Sequence, residues 1–212
     1  ATNALQQGAQ WESQRTSANG VLSFDGADDY VMLDDTVIRS KDLQISLAAL
    51  WKGGTAKQNL FWFGDETAYM AFTPCNENGV AELTITDGQT TEHLTASAPL
   101  VKGEWSKITI RIIDGKGTLL INGSQAASNR LSLTPLAVMS AARDDYAFLG
   151  KGMTDRNFKG AVDYMNFYFK EVEEPQLTYS GSEAVDNTDP GVSGIRGDVN
   201  ADGQFSIADL VM

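Results

Sequence analysis

Apolar and polar residues alternate with a period of two along much of this 212-residue chain. In "LQISLAALW" (43–51), Leu43, Ile45, Leu47, Ala49 and Trp51 fall on one side. In "SKITIRIID" (106–114), Ile108, Ile110 and Ile112 oppose Lys107, Thr109 and Arg111. Successive side chains of a strand point to opposite faces, so this register describes strands with one buried face. Shorter strand-like runs are "YVML" (30–33), "NLFWFGD" (59–65), "AYMAFTP" (68–74) and "AELTITD" (81–87), then "GTLLING" (117–123), "YAFLGKG" (146–152) and "GAVDYMNFYF" (160–169). Gly, Asp and Asn punctuate them. "IIDGKGTLLING" predicts a hairpin, its DGKG stretch supplying the positive-φ turn positions. Helical periodicity is nearly absent before residue 200. The pattern predicts an all-β fold, two antiparallel sheets packed as a sandwich.

Composition sets limits on this picture. Hydrophobic residues make up 42% of the chain and charged residues 21%, enough for a sizeable core. The formal net charge of −12 argues against nucleic acid, since no basic surface is available to displace counterions from phosphates. It suits calcium, neutral glycans or a basic partner. The lone cysteine, Cys75, excludes an intrachain disulfide, and neither it nor the single histidine, His93, sits in a catalytic motif. No apolar run is long enough to span a bilayer and no signal peptide is evident; "ATNALQQG" reads as a mature or excised start. From about residue 172 the composition turns acidic and rich in Ser, Gly and Pro. The expected organisation is a body over 1–171, a linker over 172–196 that buries too little to fold alone, and a tail over 197–212.

"VLSFDGADDYVML", "ISLAALW", "GEWSKITIRI", "GTLLINGSQ", "FLGKG" and "FKGAVDYMNFYF" follow one another in an order that resembles the laminin-G-like, concanavalin A-like jelly-roll domains attached to secreted bacterial carbohydrate-active enzymes. The resemblance runs over most of residues 18–169. Such sandwiches place the first and last of these strands side by side. Asp163 shares strand parity with Met165, Phe167 and Phe169, which aims its carboxylate at the apolar side, a costly placement without a hydrogen-bond network or a cation. In domains of this family an Asp at this place and the Asp-Gly turn matching Asp25–Gly26 are linked to calcium. The resemblance thus implies a site of Asp25 and Asp163, with a backbone carbonyl near Asp28; calcium accepts six to eight oxygens in flexible geometry. Asp25 and Asp28 could equally close Asx-turns at a strand start.

Jelly-roll glycosidases need two carboxylates facing each other across the scissile bond. No core strand carries acidic residues at that interval; Glu171 and Glu173 do, but where the sheet gives way to the linker. His93 lies in a polar stretch and reads as a loop or strand-edge residue. The body is therefore expected to bind and not to catalyse. Sugar recognition commonly pairs an aromatic plane with polar groups for hydroxyls. Trp51 and Trp105 read as core. Trp62 and Tyr69 are ligand candidates, because Phe61, Phe63, Met70 and Phe72 can supply the buried parity around them. Arg143, Asp145 and Tyr146, in the loop "SAARDDYAF" (140–148), complete the candidate set.

In the tail "DVNADGQFSIAD", oxygen-bearing side chains recur at loop positions 1, 3, 5, 9 and 12: Asp198, Asn200, Asp202, Ser206 and Asp209. Gly203 takes the sharp turn, and Gln204 can offer its carbonyl. "GDVNADGQFSIADL" is similar to the first calcium repeat of type I dockerins, the modules that plug enzymes into cohesins of a scaffoldin. Two repeats normally pack together and this sequence holds one, so it reads as a truncated module. Ile207 and Ala208 occupy the positions that contact cohesin in that family. Together these readings imply a secreted, extracellular, calcium-stabilised carbohydrate-binding or accessory module of a cellulosomal polysaccharide-degrading enzyme. Its expected partners are plant cell-wall polysaccharide and a cohesin. A jelly-roll glycosidase or lyase and a protein-binding laminin-G-like module are the alternatives.

Overall fold

A computed structural model describes residues 5–7, 10–12, 21–153 and 156–173 of the chain, with side chains from residue 21 onward. The strands are β1 (Leu5–Gln7), β2 (Gln10–Glu12), β3 (Val21–Asp25), β4 (Tyr30–Met32), β5 (Leu43–Trp51), β6 (Gln58–Asn59), β7 (Phe61–Gly64) and β8 (Tyr69–Thr73). They continue with β9 (Glu82–Thr86), β10 (Thr91–Thr95), β11 (Trp105–Ile113), β12 (Lys116–Ile121), β13 (Ser124–Arg130), β14 (Ala147–Leu149), β15 (Arg156–Asn157) and β16 (Lys159–Tyr168). One antiparallel sheet, sheet I, runs β1-β4-β14-β7-β8-β9-β10; a second, sheet II, runs β13-β12-β11-β5-β16-β3-β2. A short parallel pair, β6 with β15, lies apart from both.

The sandwich predicted from alternation is present. Leu43, Ile45, Leu47, Ala49 and Trp51 enter the core with Ile108, Ile110 and Ile112 from sheet II, meeting Phe61, Phe63, Met70, Phe72, Leu83 and Ile85 from sheet I. Burying each such large side chain contributes roughly 1.5–3 kcal/mol. The β11–β12 hairpin closes through Asp114 and Gly115, both at positive φ (49° and 69°), as a two-residue turn matching the strand twist requires. Asn122 and Gly123 repeat the device (52° and 77°) between β12 and β13. The expected neighbours β3 and β16 do pair, Lys159 opposite Asp25 and Val162 opposite Leu22.

Four features depart from the sequence pattern. A seven-residue helix, α1 (Pro135–Ala141), is capped by Thr134, whose Oγ1 accepts from the Ala137 N–H at 3.1 Å. It is too short for a periodic signal, and Pro at its first turn is pre-set for the helix start. Strand β13, "SQAASNR", has little apolar alternation and pairs as the outer edge of sheet II. A bulge between Val162 and Tyr164 resets the parity of β16 at Asp163, which is half-buried, while Phe169 lies beyond the strand and is exposed. Finally, β5 is buried on both faces: Gln44, Ser46 and Ala48 are as inaccessible as their apolar neighbours. Residues 171–173 account for the end of that face. The Gln44 side chain donates to the Val172 carbonyl (2.9 Å) and accepts from the Val172 N–H (3.0 Å). Arg111 donates to the same carbonyl (3.1 Å), to Gln44 Oε1 (2.9 Å) and to Glu171 (2.9 Å).

Candidate functional site

The outer face of sheet I gathers the aromatic residues that the core does not use. On β7, Phe61 and Phe63 point inward, so Trp62 and Gly64 face out. Register sets Trp62 beside Phe148 of β14 and Ala71 of β8, and Gly64 beside Tyr69. The Trp62 and Tyr69 rings stack at 3.9 Å and 25°. On the other side of Gly64, whose N–H donates to the Tyr146 carbonyl at 2.7 Å, Tyr146 stacks on Phe148 at 5.2 Å, and Tyr30 meets Phe148 edge-on at 5.3 Å. Lys151 Nζ sits over Tyr30 and Phe148, 4.4 and 4.8 Å from the ring centres. The result is an aromatic band in which two half-buried tyrosines, Tyr69 and Tyr146, flank a buried Gly64. Offset aromatic pairs of this kind contribute about 0.5–1.5 kcal/mol beyond area burial.

Trp62 itself is only 1% exposed, so the ring first marked as a ligand plane is the base under Tyr69. Asp65 holds the neighbouring loop to it. Its carboxylate accepts from the N–H groups of Thr67 (2.6 Å), Ala68 (2.7 Å) and Arg143 (2.7 Å), while its carbonyl accepts from Trp62 Nε1 (3.0 Å). Burial pushes the Asp65 carboxyl up, but the three N–H donors outweigh it and leave it below the usual value. Arg143 and Tyr146 are thereby fixed at the edge of the band. Asp145 pairs with Arg39 (2.5 Å), which also pairs with Asp35. Of the five ligand candidates from the sequence, Trp62, Tyr69 and Tyr146 belong to this band, with Tyr30, Phe148 and Lys151; Arg143 borders it through its backbone, and the Asp145 carboxylate is turned to Arg39.

Beyond Tyr69 the same face becomes polar, with Thr84 and Thr86 of β9 opposite His93 and Thr91 of β10. His93 Nδ1 is 3.2 Å from Thr84 Oγ1 and 3.6 Å from Glu82. His93 is exposed on a strand at the sheet's edge, as its sequence context predicts. Glu82 is the carboxylate that the described strands of sheet I carry on this face, where glycoside hydrolysis would need a pair.

At the end of β3 a second cluster forms. Ligand oxygens of Asp25, Asp28 and Asp29 lie within 4.8 Å of one another. Gly26, at φ 83°, lets the chain reverse tightly against Lys159. The Ala27 N–H donates to Asp25 (2.6 Å), the Asp25 N–H to Asp29 (2.8 Å), and Asn157 Nδ2 to the Ala27 carbonyl (2.7 Å). Asp29 is buried, and that burial, with the Asp25 and Asp28 charges added, holds its carboxyl above the usual range although the Asp25 N–H partly offsets it. Asp163 does not belong to this group. Lys159 pairs with Asp25, so Asp163 lies four residues along β16, about 13 Å away at the usual strand rise. The acidic run "DGADD" carried the signal for Asp29, which Asx-turn reasoning on Asp25 and Asp28 passed over. The tail ligands Asp198, Asn200, Asp202, Gln204 and Asp209, and Ile207 and Ala208, lie outside the described residues.

Two facing antiparallel sheets in this strand order, with an aromatic outer face, define a jelly-roll sandwich. The chain belongs to the family Laminin_G_3, of the concanavalin A-like lectin/glucanases superfamily, which residues 25–178 match. No curated protein matches the sequence. Among solved structures it is similar to domain 4 of AbnA, a GH43 extracellular arabinanase from Geobacillus stearothermophilus, in complex with arabinotriose. That match has a TM-score of 0.66 and 17% identity, covering 79% of this chain and 81% of that one. The CBM40 of the Ruminococcus gnavus IT-sialidase, bound to α2,3-sialyllactose, gives a TM-score of 0.57 at 15% identity, covering 80% and 94%. The binding domain of botulinum neurotoxin DC, in complex with rat synaptotagmin II, gives 0.60 at 10% identity, covering 81% of this chain but 44% of that one. At these identities the likeness is one of fold.

Proposed function

We propose that this protein is a carbohydrate-binding module of a secreted polysaccharide-degrading enzyme, taking neutral plant cell-wall glycan on the outer face of sheet I. The observation that carries the reading is the aromatic band across sheet I, with the half-buried rings of Tyr69 and Tyr146 at its surface. Two half-buried tyrosines, braced from below by Trp62 and Phe148, offer planes for the C–H faces of a sugar. Arg143 and the Thr84–His93 strip supply donors and acceptors for its hydroxyls. Aromatic surface braced in this way loses little side-chain freedom on binding. The two solved structures that hold saccharides, arabinotriose and α2,3-sialyllactose, support saccharide binding, and among the described residues Glu82 is the one strand-borne carboxylate on the face, which favours binding over hydrolysis.

Calcium, in this proposal, sits at Asp25, Asp28 and Asp29 and pins the β3–β4 turn; hard oxygen donors in a tight loop suit it. The dockerin-like residues from Asp198 to Asp209 would attach the parent enzyme to a cohesin. Retention of the chain on a panel of neutral plant polysaccharides, with calcium and with chelator, tests the reading. A variant with Tyr69→Ala and Tyr146→Ala should lose retention while staying folded by circular dichroism. Retention by no glycan, or equal retention by the variant, would overturn it.

A further inference from the structure

The outer face of sheet II, on the far side of the sandwich from the aromatic band, holds a groove of about 560 Å³ over β11, β12 and β13. Its chemistry is unusual for this chain, which carries 28 acidic residues against 16 Lys and Arg. Lys116 and Arg130 are direct cross-strand partners, and both are exposed into the groove. Like charges so placed, with Cβ atoms about 5 Å apart, oppose each other and weaken the pairing. Neither has a carboxylate partner among the described residues. Arg111, the third cation of the groove, is already held by Glu171 and Gln44. An unneutralised cation pair at one point of a strongly acidic protein is a site in want of one anion.

The rest of the lining describes what carries that anion. Ile113, directly cross-strand from Lys116, is half-buried and gives an apolar contact beside the cations, and Thr118 offers a hydroxyl two residues along β12; Leu120 and Gln125 lie at the groove's other end. The volume falls within the range of small-ligand sites. Asp114 and Glu171 also line the groove and would repel a second negative charge, which disfavours an acidic peptide or a polyanion. We propose that this groove is a separate saccharide subsite for a sugar bearing a single carboxylate, such as a uronic acid residue. Lys116 and Arg130 meet the carboxylate, and Ile113, cross-strand from Lys116, takes the C–H face of the ring. The assignment stands independently of the aromatic face.

Calorimetric titration of the full chain with a trisaccharide of two neutral sugars and one terminal glucuronic acid, and with its methyl ester, tests it, since the ester keeps the shape and removes the single charge. The acid should bind about tenfold or more tightly than the ester, because charge-assisted hydrogen bonds are lost. K116Q/R130Q should bring the acid down to the ester's affinity, and raised salt should weaken the acid alone. The Tyr69→Ala, Tyr146→Ala variant should keep acid binding, which separates this subsite from the neutral-glycan face. Absent binding of the acid, equal affinity for acid and ester, or an unaffected K116Q/R130Q variant would overturn the proposal. Tighter binding of pentaglutamate than of the trisaccharide would overturn it in favour of a peptide partner.

Discussion

Tyr69 lies flat on Trp62, ring centres 3.9 Å apart, and closes the indole away from solvent on the outer face of sheet I. The tryptophan therefore acts through the tyrosine it supports. Tyr69→Ala is expected to uncover the indole and red-shift its fluorescence, at a cost of about 1–3 kcal/mol in unfolding free energy for the lost contact and area. Trp62→Ala should cost more, about 3–5 kcal/mol, by leaving a cavity. Chemical denaturation read by circular dichroism ranks the two; an equal or reversed order would contradict the arrangement.

Gly64 is a position no other residue can fill. A Cβ there would lie 2.1 Å from the Ala68 carbonyl oxygen and 2.8 Å from Tyr69 Cα, on a backbone at φ 116°. Gly64→Ala should lower the melting temperature by several degrees, consistent with a loss of about 2 kcal/mol or more. Glycan retention should fall as well, since the Cβ would push the Ala68–Tyr69 backbone, and with it the Tyr69 ring, out of place. A variant with unchanged melting would refute the steric argument.

Asp65 gives the stability a pH dependence of known sign. Its folded carboxyl lies below its unfolded value, so its contribution is fully present above the unfolded pKa of about 4 and is lost as pH falls through the lower, folded value. Asp65→Asn should melt earlier than the parent at neutral pH, and the gap should narrow below about pH 4. Melting curves of both proteins from pH 7 to pH 2.5 give the comparison; a gap that widens in acid would reverse the assignment.

Calcium should raise the melting temperature, and chelator should remove the increment. Asp28→Asn is expected to abolish this shift, because it removes an oxygen from the group that converges within 4.8 Å. Asp163→Asn should retain it, since the β3–β16 register keeps Asp163 apart from that group. Loss of the shift in the Asp163 variant alone would move the metal to that side chain.

Much of the fold was legible because alternation reports directly on which face of a strand is buried. It gave β5 with its bounds, placed β11 and β12 in one hairpin, and offered Phe61, Phe63, Met70 and Phe72 as the buried parity around Trp62 and Tyr69, which the core adopts. It missed β13, an edge strand whose contact with the core is limited to the adjacent small residues Ala126 and Ala127 and so shows no period, and α1, which is shorter than two full turns. The parity of Asp163 was misread through the bulge at Val162, since an extra residue shifts every later side chain to the opposite face. Partners across strands were invisible for a different reason. Phe148 beside Trp62, and Lys116 beside Arg130, are set by register between segments far apart in sequence.

The clasp of Gln44 and Arg111 on Val172 has a mechanical meaning. A pull on the chain beyond residue 173 meets these hydrogen bonds first, and only after they part does the load reach β16. That strand lies between β5 and β3, so force along it shears two ladders at once instead of peeling an edge. A module anchored to an insoluble polymer on one face and tugged from the other would yield at the clasp, lengthen by a few residues, and keep its grip.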